Sequence, residues 1–253
     1  MNTLRLLILA LCFTICAGEL RSQTLSELLQ KADEYSNSIQ FAKARETIEL
    51  AYRQEPSNYE VLWRMARIYI EYSETVPEKD QEKLCLQARE YADRAVQLNP
   101  SGMQGYLRRS AALGKLALFK GVFGASSLVK SSFEDAKKAL SLNNDGQLPL
   151  ASTHYVLGRI HLKLSEKPKL FRMPLGLGFG NIDDAIVHLK KAAELRPGFI
   201  MFHLDYARAL VAEDRLEEAR GELRKIPSMK TQAYNDDNRR EEARKLLKEI
   251  EGK

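Results

Sequence analysis

The sequence is poor in the residues that interrupt or crosslink a chain. Its 253 residues include only 8 prolines, 14 glycines and 3 cysteines. Few prolines and glycines favour long helices over many short strands joined by turns. Cys12 and Cys16 fall within the first 22 residues, so the rest of the chain carries Cys85 alone and forms no internal disulfide. A disulfide-stabilised mini-protein is excluded.

Neither sign of charge dominates the composition. Lys and Arg number 39 against 34 Asp and Glu, which gives a formal net charge of +5, and 44% of the residues are hydrophobic. That hydrophobic fraction is too high for a disordered chain. A small net positive charge, with acidic and basic residues mixed along the chain, is only weak evidence for nucleic-acid binding. We therefore expect a folded protein that does not bind nucleic acid.

The first 22 residues have the pattern of a secretory signal peptide. Arg5 precedes 12 apolar residues, 6–17, which is the length of a signal-peptide core. Spanning a bilayer takes about 20 residues. We predict cleavage near Ala17 or after Ser22, and an exported protein, periplasmic or secreted, with no stable membrane span after cleavage. An uncleaved or lipid-anchored, envelope-associated form is the alternative.

Alanines recur at helical spacing in several segments of the remaining chain. In each segment the first residue is followed by a small or aliphatic residue four positions later and by another three positions after that. This spacing places all three on one helix face. In the first four segments a proline or asparagine comes five residues later and ends the helix. The segments begin at Ala44, Ala88, Ser132, Ala185 and Ala219. Such self-similarity predicts a helical repeat protein.

A second helix is predicted before each of these segments. These inner helices share a small residue with a bulky residue four positions before it and a bulky residue three after it. The small residues are Ala32, Ala66, Ser110, Gly158 and Ala207. The paired pattern resembles the tetratricopeptide (TPR) repeat over residues 25–227. The resemblance implies an all-α fold, a right-handed TPR-like α-solenoid of about five helix pairs with a C-terminal capping helix.

The middle three repeats depart from the TPR spacing. We count the positions from the small residue of each inner helix to the first residue of the segment that follows it. The distance is 12 in the first and fifth repeats, as in the family, but 22, 22 and 27 in the second, third and fourth. We predict insertions on one edge of the array. They lie at about 73–83, 117–127 and 165–181.

The order of elements is also similar to a narrower group, the regulator-of-microtubule-dynamics-like TPR proteins and their exported bacterial relatives. The segments that carry this resemblance are 61–67, 173–186 and 192–199. The group's name is not taken as a function, because the predicted signal peptide directs the chain to a compartment without microtubules.

The predicted organisation is a signal peptide over 1–22, a repeat domain over 23–230 and a capping helix over 231–253. Within the last segment, Ala243, Leu246, Leu247 and Ile250 form the apolar side of a charged helix. A solenoid needs a terminal helix with a polar outer face to close its last repeat. Capping is therefore preferred over partner docking for this helix.

Motifs for catalysis are missing. The four histidines, His154, His161, His188 and His203, have no neighbouring ligands at zinc-binding spacing, and most fall where a ring packs between helices. Residues 176–180 (GLGFG) lack the Lys-Ser/Thr of a phosphate loop. We predict no catalytic residue, no metal, no cofactor and no enzyme activity.

The resemblance implies a concave groove lined by the inner helices. Carried over by register, the fifth positions of these helices include Trp63 and Tyr155, and the ninth positions include Arg67, Arg159 and Arg208. Arg beside an aromatic ring suits a peptide carboxylate. These five residues are the predicted binding site, with a protein or an acidic peptide as partner. The alternatives are pairing of each Arg with an acid of an adjacent repeat, or a groove partly filled by the capping helix.

The insertion at 165–181 is unusually apolar for a loop. It either folds back on its own repeat, which we prefer, or forms a contact surface, since solvated apolar loops are sticky. Two function classes follow. The first is a non-enzymatic protein- or peptide-binding scaffold of the cell envelope. The second is a small-molecule or lipid carrier, or an enzyme, that uses this loop as a lid. Oligomeric state is left open.

Overall fold

The computed structural model describes residues 23–120 and 122–252, and that part of the chain is helical without strands. The predicted signal peptide, 1–22, lies outside the described residues. Within the described ranges, every helix is too short or too polar to cross a bilayer. The helices are α1 (Leu25–Asn37), α2 (Phe41–Gln54), α3 (Tyr59–Ser73), α4 (Glu78–Leu98), α5 (Met103–Leu118), α6 (Val122–Leu142), α7 (Gln147–Ser165), α8 (Lys169–Arg172), α9 (Ile182–Leu195), α10 (Ile200–Ala212), α11 (Leu216–Lys225) and α12 (Asp236–Glu251).

These helices form five successive pairs. The pairs are α1–α2, α3–α4, α5–α6, α7–α9 and α10–α11, and each inner helix also packs on the outer helix of the pair before it. The predicted right-handed TPR-like solenoid with a capping helix is confirmed.

Small side chains lie where paired helices cross. Ala32, Ala44, Ala51 and Ala192 are fully buried. In the third pair two serines replace alanines, and each hydroxyl donates to the other residue's carbonyl, Ser110 Oγ to Ser132 O at 2.7 Å and Ser132 Oγ to Ser110 O at 2.8 Å. Buried hydroxyls satisfied in this way cost little. The predicted register therefore describes the contacts between paired helices.

In the fourth pair a glycine brings the helices still closer. A Cβ built on Gly158 of α7 would lie 2.6 Å from Leu189 Cγ of α9. No side chain fits at that distance, so the fourth pair depends on glycine at the position where other repeats have alanine or serine.

The predicted insertions take two forms. The segments at about 73–83 and 117–127 mostly lengthen outer helices, since α4 and α6 have 21 residues each and begin shortly after α3 and α5 end. The segment at 165–181 instead forms α8 and a loop before α9.

The loop at 165–181 is divided between core and solvent. Leu177 is buried, and the Phe179 ring stacks on Phe133 of α6 with centroids 4.2 Å apart. Leu170, Phe171 and Met173 are 78%, 71% and 57% exposed. The preferred interpretation, folding back on its own repeat, therefore describes residues 177–179, while the exposed Leu170, Phe171 and Met173 leave the contact-surface interpretation a prediction.

The last helix closes the array as predicted. Ala243 and Ile250 are buried against the C-terminal core cluster, and Leu246 and Leu247 pack beside them. The opposite face of α12 is polar, which protects the final repeat from solvent.

The repeat register predicts that enlarging one residue at a helix crossing lowers the stability of the protein. Ala192→Leu adds three carbon atoms to a fully enclosed position between α7 and α9. We expect the free energy of unfolding to fall by about 1–3 kcal/mol through overpacking, measured by urea denaturation. The control is Val187→Leu, which enlarges a 63% exposed side chain of the same helix. Equal effects of the two substitutions would contradict the register.

Candidate peptide-binding surface

The five predicted site residues lie on three inner helices and form two clusters. Trp63 and Arg67 are on α3, Tyr155 and Arg159 on α7, and Arg208 on α10. On α3 and α7 the arginine lies one turn after the aromatic residue, because positions four apart share a helix face.

The tryptophan cluster consists of Trp63, Arg64, Arg67 and Arg108. The three guanidinium carbons lie 4.1, 5.7 and 5.8 Å from the indole centroid, in that order. The indole Nε1 donates to Glu60 at 3.0 Å, and the side chain is only 7% exposed. Three cations around one ring are each attracted by its electron-rich faces. Trp63 is thus buried beside these arginines, so its ring is little exposed for the ligand contact predicted from the sequence.

Two of the three arginines are paired with carboxylates. Asp33 of α1 accepts from Arg64 Nε at 2.9 Å and from Arg67 Nη2 at 2.6 Å. Glu71, one turn beyond Arg67, is 3.8 Å from its Nε. The charge of Arg67 is therefore balanced within the array, mainly by the preceding repeat.

Arg108, on α5, is different. Its Nη2 donates to the neutral Gln104 at 2.9 Å, and its Nε is buried without a hydrogen-bond acceptor. Among the residues that the structure describes, no carboxylate lies within ion-pair distance of it. Burial, followed by the repulsion of Arg67, lowers the pKa of Arg108 to about 10. An added anion at this guanidinium would offset both effects.

The aspartate cluster consists of Tyr155, Arg159, Asp205 and Arg208. Asp205 is 2% exposed, and it accepts from the Tyr155 hydroxyl at 2.8 Å and from Arg208 Nη1 at 2.7 Å. Arg159 Nη1 lies 3.4 Å from the same carboxylate. Hydrogen bonding and charge pairing on all sides make a buried carboxylate tolerable.

The clusters correct one part of the predicted site. Arg67 and Arg159 are paired with acids of adjacent repeats, Asp33 and Asp205, which is one of the alternatives that the sequence leaves open. Arg208 pairs with Asp205 of its own helix and with Glu242 of the capping helix. These carboxylates compete with an acidic peptide for the three arginines. The structure brings Arg159 and Arg208 together through Asp205 and places Arg67 in a separate cluster.

The capping helix also contributes to the inner surface. Glu242 of α12 accepts a hydrogen bond from Arg208. Arg239 of the same helix lies 4.0 Å from Glu74, which directly follows α3 and also binds Lys115 at 2.7 Å. The last helix thus approaches the second repeat.

Three of the four histidines, His154, His161 and His188, pack against rings and one another, whereas His203 Nδ1 lies 2.6 Å from Glu222 Oε2. His154 Nδ1 lies 2.9 Å from His188 Nδ1, and the rings of His161 and His188 are stacked with centroids 6.1 Å apart. Burial lowers the pKa of His154 to about 4, and the neighbouring His188 and Lys191 act in the same direction. Burial also lowers the pKa of His161 and of His188. Neutral rings at pH 7 suit the packing role predicted for them.

Sequence reasoning missed Asp205 and Arg108, which decide the charge balance of the two clusters. Asp205 had a visible signal, because it is the one acid in the apolar segment 199–212, FIMFHLDYARALVA. A carboxylate at such a site requires a cation or hydrogen-bond donor nearby. Arg108 had no comparable signal, since its special property is the lack of a carboxylate partner among the described residues.

The aspartate cluster predicts the cost of losing its carboxylate charge. Asp205→Asn keeps the shape but leaves Arg159 and Arg208 facing a neutral amide, so we expect a loss of about 2–4 kcal/mol in the free energy of unfolding. Urea denaturation measures it. Glu242→Gln is the control, because that carboxylate is 51% exposed and should matter by less than about 1 kcal/mol. Comparable losses in both variants would refute the central place given to Asp205.

Curated relatives of this chain include regulators of microtubule dynamics. A rat protein named regulator of microtubule dynamics protein 3 is 30% identical over 187 residues, covering 68% of this chain and 37% of the relative. Its bovine counterpart is 29% identical over 197 residues, covering 72% of this chain and 40% of the relative. The chain therefore spans less than half the length of these curated relatives.

Solved structures share the fold at low identity. A thermophilic TPR protein from Thermus thermophilus matches with a TM-score of 0.66 and 20% identity, over 88% of this chain and 99% of that one. PilW, titled a type IV pilus biogenesis factor, matches with a TM-score of 0.54 and 16% identity, over 90% of this chain and 94% of that one.

A family-wide sequence comparison covers nearly the whole described chain. The family described as regulator of microtubule dynamics protein 1-3 matches residues 28–251, from α1 to the end of α12. This chain therefore belongs to the regulator of microtubule dynamics protein 1-3 family.

Proposed function

We propose that this protein is a non-enzymatic scaffold of the cell envelope that holds a protein or peptide segment on the concave face of its repeats. The fold supports the proposal, because stacked inner helices present an extended row of side chains suited to a linear ligand. The names of the curated relatives are not carried over, since the chain covers 37–40% of those proteins.

The observation that carries the proposal is the guanidinium of Arg108, which has no carboxylate within ion-pair distance among the described residues. The predicted site residues Arg67, Arg159 and Arg208 already have carboxylate partners. Arg108 lies beside Trp63 and Arg67, and a carboxylate from a ligand would balance its charge. The acidic partner predicted from the sequence is kept, with Arg108 as its principal contact.

The lid alternative has less support. A lid over a small molecule would offer its apolar side chains to that ligand. Here Leu177 and Phe179 pack on protein, and Leu170 and Phe171 face solvent. Within the described ranges, no group of three or more potential metal ligands is arranged to hold an ion. We therefore propose binding without catalysis or a cofactor.

Site-specific photocrosslinking in the native cell tests the binding face. A benzophenone amino acid at Ala111, one turn after Arg108 on α5, should crosslink one discrete protein or peptide. The same probe at Val187, exposed on the outer helix α9, should not. Arg108→Gln should lower the Ala111 crosslink about tenfold, since hydrogen bonds to charged groups contribute about 1.5–3 kcal/mol. Equal crosslinking from both positions would count against the concave face.

The envelope location rests on residues 1–22 and is tested separately. Protein isolated from its native cell should begin no earlier than residue 18, with Gln23 as the start if cleavage follows Ser22. N-terminal sequencing measures this directly, and native protein that begins at Met1 would overturn the proposed export.

A further inference from the structure

The segment 166–173, here called the basic loop, combines exposed apolar side chains with unpaired lysines. Leu170, Phe171 and Met173 are 78%, 71% and 57% exposed. Three neighbouring large apolar side chains left in water mark a contact surface more often than isolated ones do. We therefore ask which molecule covers these three side chains.

The basic loop is held in shape from its inner side. Arg172 lies between the exposed residues, yet its guanidinium turns inward and donates to the carbonyls of Lys167, Leu177 and Gly180 at 3.1, 3.3 and 2.8 Å. Gly176 adopts a left-handed backbone with φ of 69° and lies against Lys130 of α6. The loop is closed on its own backbone, so the apolar side chains are presented outward from a fixed base.

The charge of the surrounding chain is positive. Residues 163–173 contain four cations, Lys163, Lys167, Lys169 and Arg172, against the single acid Glu166. Lys163 and Glu166 form an ion pair at 2.6 Å. The side chains of Lys167 and Lys169 have no carboxylate within ion-pair distance in the part of the chain that the structure describes. Two lysines without a carboxylate partner among the described residues thus directly precede the exposed apolar residues.

We propose that the basic loop docks this protein on an anionic lipid bilayer, with Leu170, Phe171 and Met173 entering the interface and Lys167 and Lys169 contacting the headgroups. Aromatic and aliphatic side chains gain by burial at the boundary between headgroups and acyl chains. Lysines beside them are attracted by anionic lipid at the membrane surface. A protein partner would have to match both features at a flat, eight-residue loop, whereas an anionic membrane offers both over its whole surface.

The proposal does not depend on the peptide-binding function. The basic loop precedes α9 on the edge where paired helices are joined, and its exposed residues belong neither to the tryptophan cluster nor to the aspartate cluster. Failure of one proposal therefore leaves the other intact.

A fluorescent reporter at the loop tests insertion in the full chain. Phe171→Trp is mixed with vesicles of equimolar phosphatidylglycerol and phosphatidylcholine, and its emission should shift to the blue and be quenched by brominated lipid. Leu148→Trp, at a 60% exposed position of α7, is the matched control and should do neither. The native Trp63 is 7% exposed and contributes the same background to both variants. If residues 1–22 alone hold the chain on the vesicle, neither reporter is quenched and the proposal is overturned.

Charge reversal tests the lipid class by vesicle flotation. Lys167→Glu with Lys169→Glu should lower the apparent vesicle affinity at least about tenfold, with a matching loss of quenching when the pair is combined with Phe171→Trp. Lys138→Glu with Lys190→Glu makes the same change in net charge at exposed lysines of α6 and α9 and should have little effect.

Two outcomes would overturn the membrane proposal. Equal binding to pure phosphatidylcholine would remove the anionic requirement. A concentration-dependent dimer that Leu170→Ser with Phe171→Ser disrupts, without vesicle binding, would instead assign the loop to a second copy of the chain.

Discussion

The close approach of paired helices at small side chains is the constraint on which this structure depends. Where Ala32, Ala51 and Ala192 lie at helix crossings, nothing larger fits without moving the helix axes apart. The serine pair of the third repeat and Gly158 of the fourth meet the same requirement by different chemistry. Because each crossing fixes how one helix lies on the next, it also fixes which side chains of successive inner helices meet.

The charge pairing of the concave face follows from that geometry. Asp33 and Arg67 occupy the ninth position of the first and second inner helices, so stacking the repeats brings a carboxylate onto a guanidinium at 2.6 Å. Arg67, Arg159 and Arg208 occupy equivalent register positions, but Arg67 lies in a separate cluster from the other two. Carboxylates from neighbouring helices lie within ion-pair distance of all three.

The fold was predictable from the sequence because small residues at fixed spacing report directly on helix crossings. The candidate site was only partly predictable. The register assigned Trp63 and Arg67 to the inner face, but the decisive residues Arg108 and Asp205 lie at the sixth position of their helices, beside the fifth positions that the family pattern highlights. A repeat pattern tells which face a residue lies on. Whether a guanidinium on that face pairs with a carboxylate depends on the lengths and conformations of side chains from three helices. The spacing of residues in the sequence does not determine these.

The overall composition does not show the local positive charge of residues 163–173, because it averages charge over the whole chain. The net charge of +5 is small for 253 residues, yet residues 163–173 alone carry +3 of it, four cations against one acid. On the concave face, by contrast, most cations are paired within the array. Lys167 and Lys169 have no carboxylate within ion-pair distance in the described part of the chain, and they lie on an edge loop that adds nothing to the helix crossings. Exposed apolar residues lie in the same loop, and this coincidence of lysines without carboxylate partners and unburied apolar surface distinguishes it from an ordinary connection between helices.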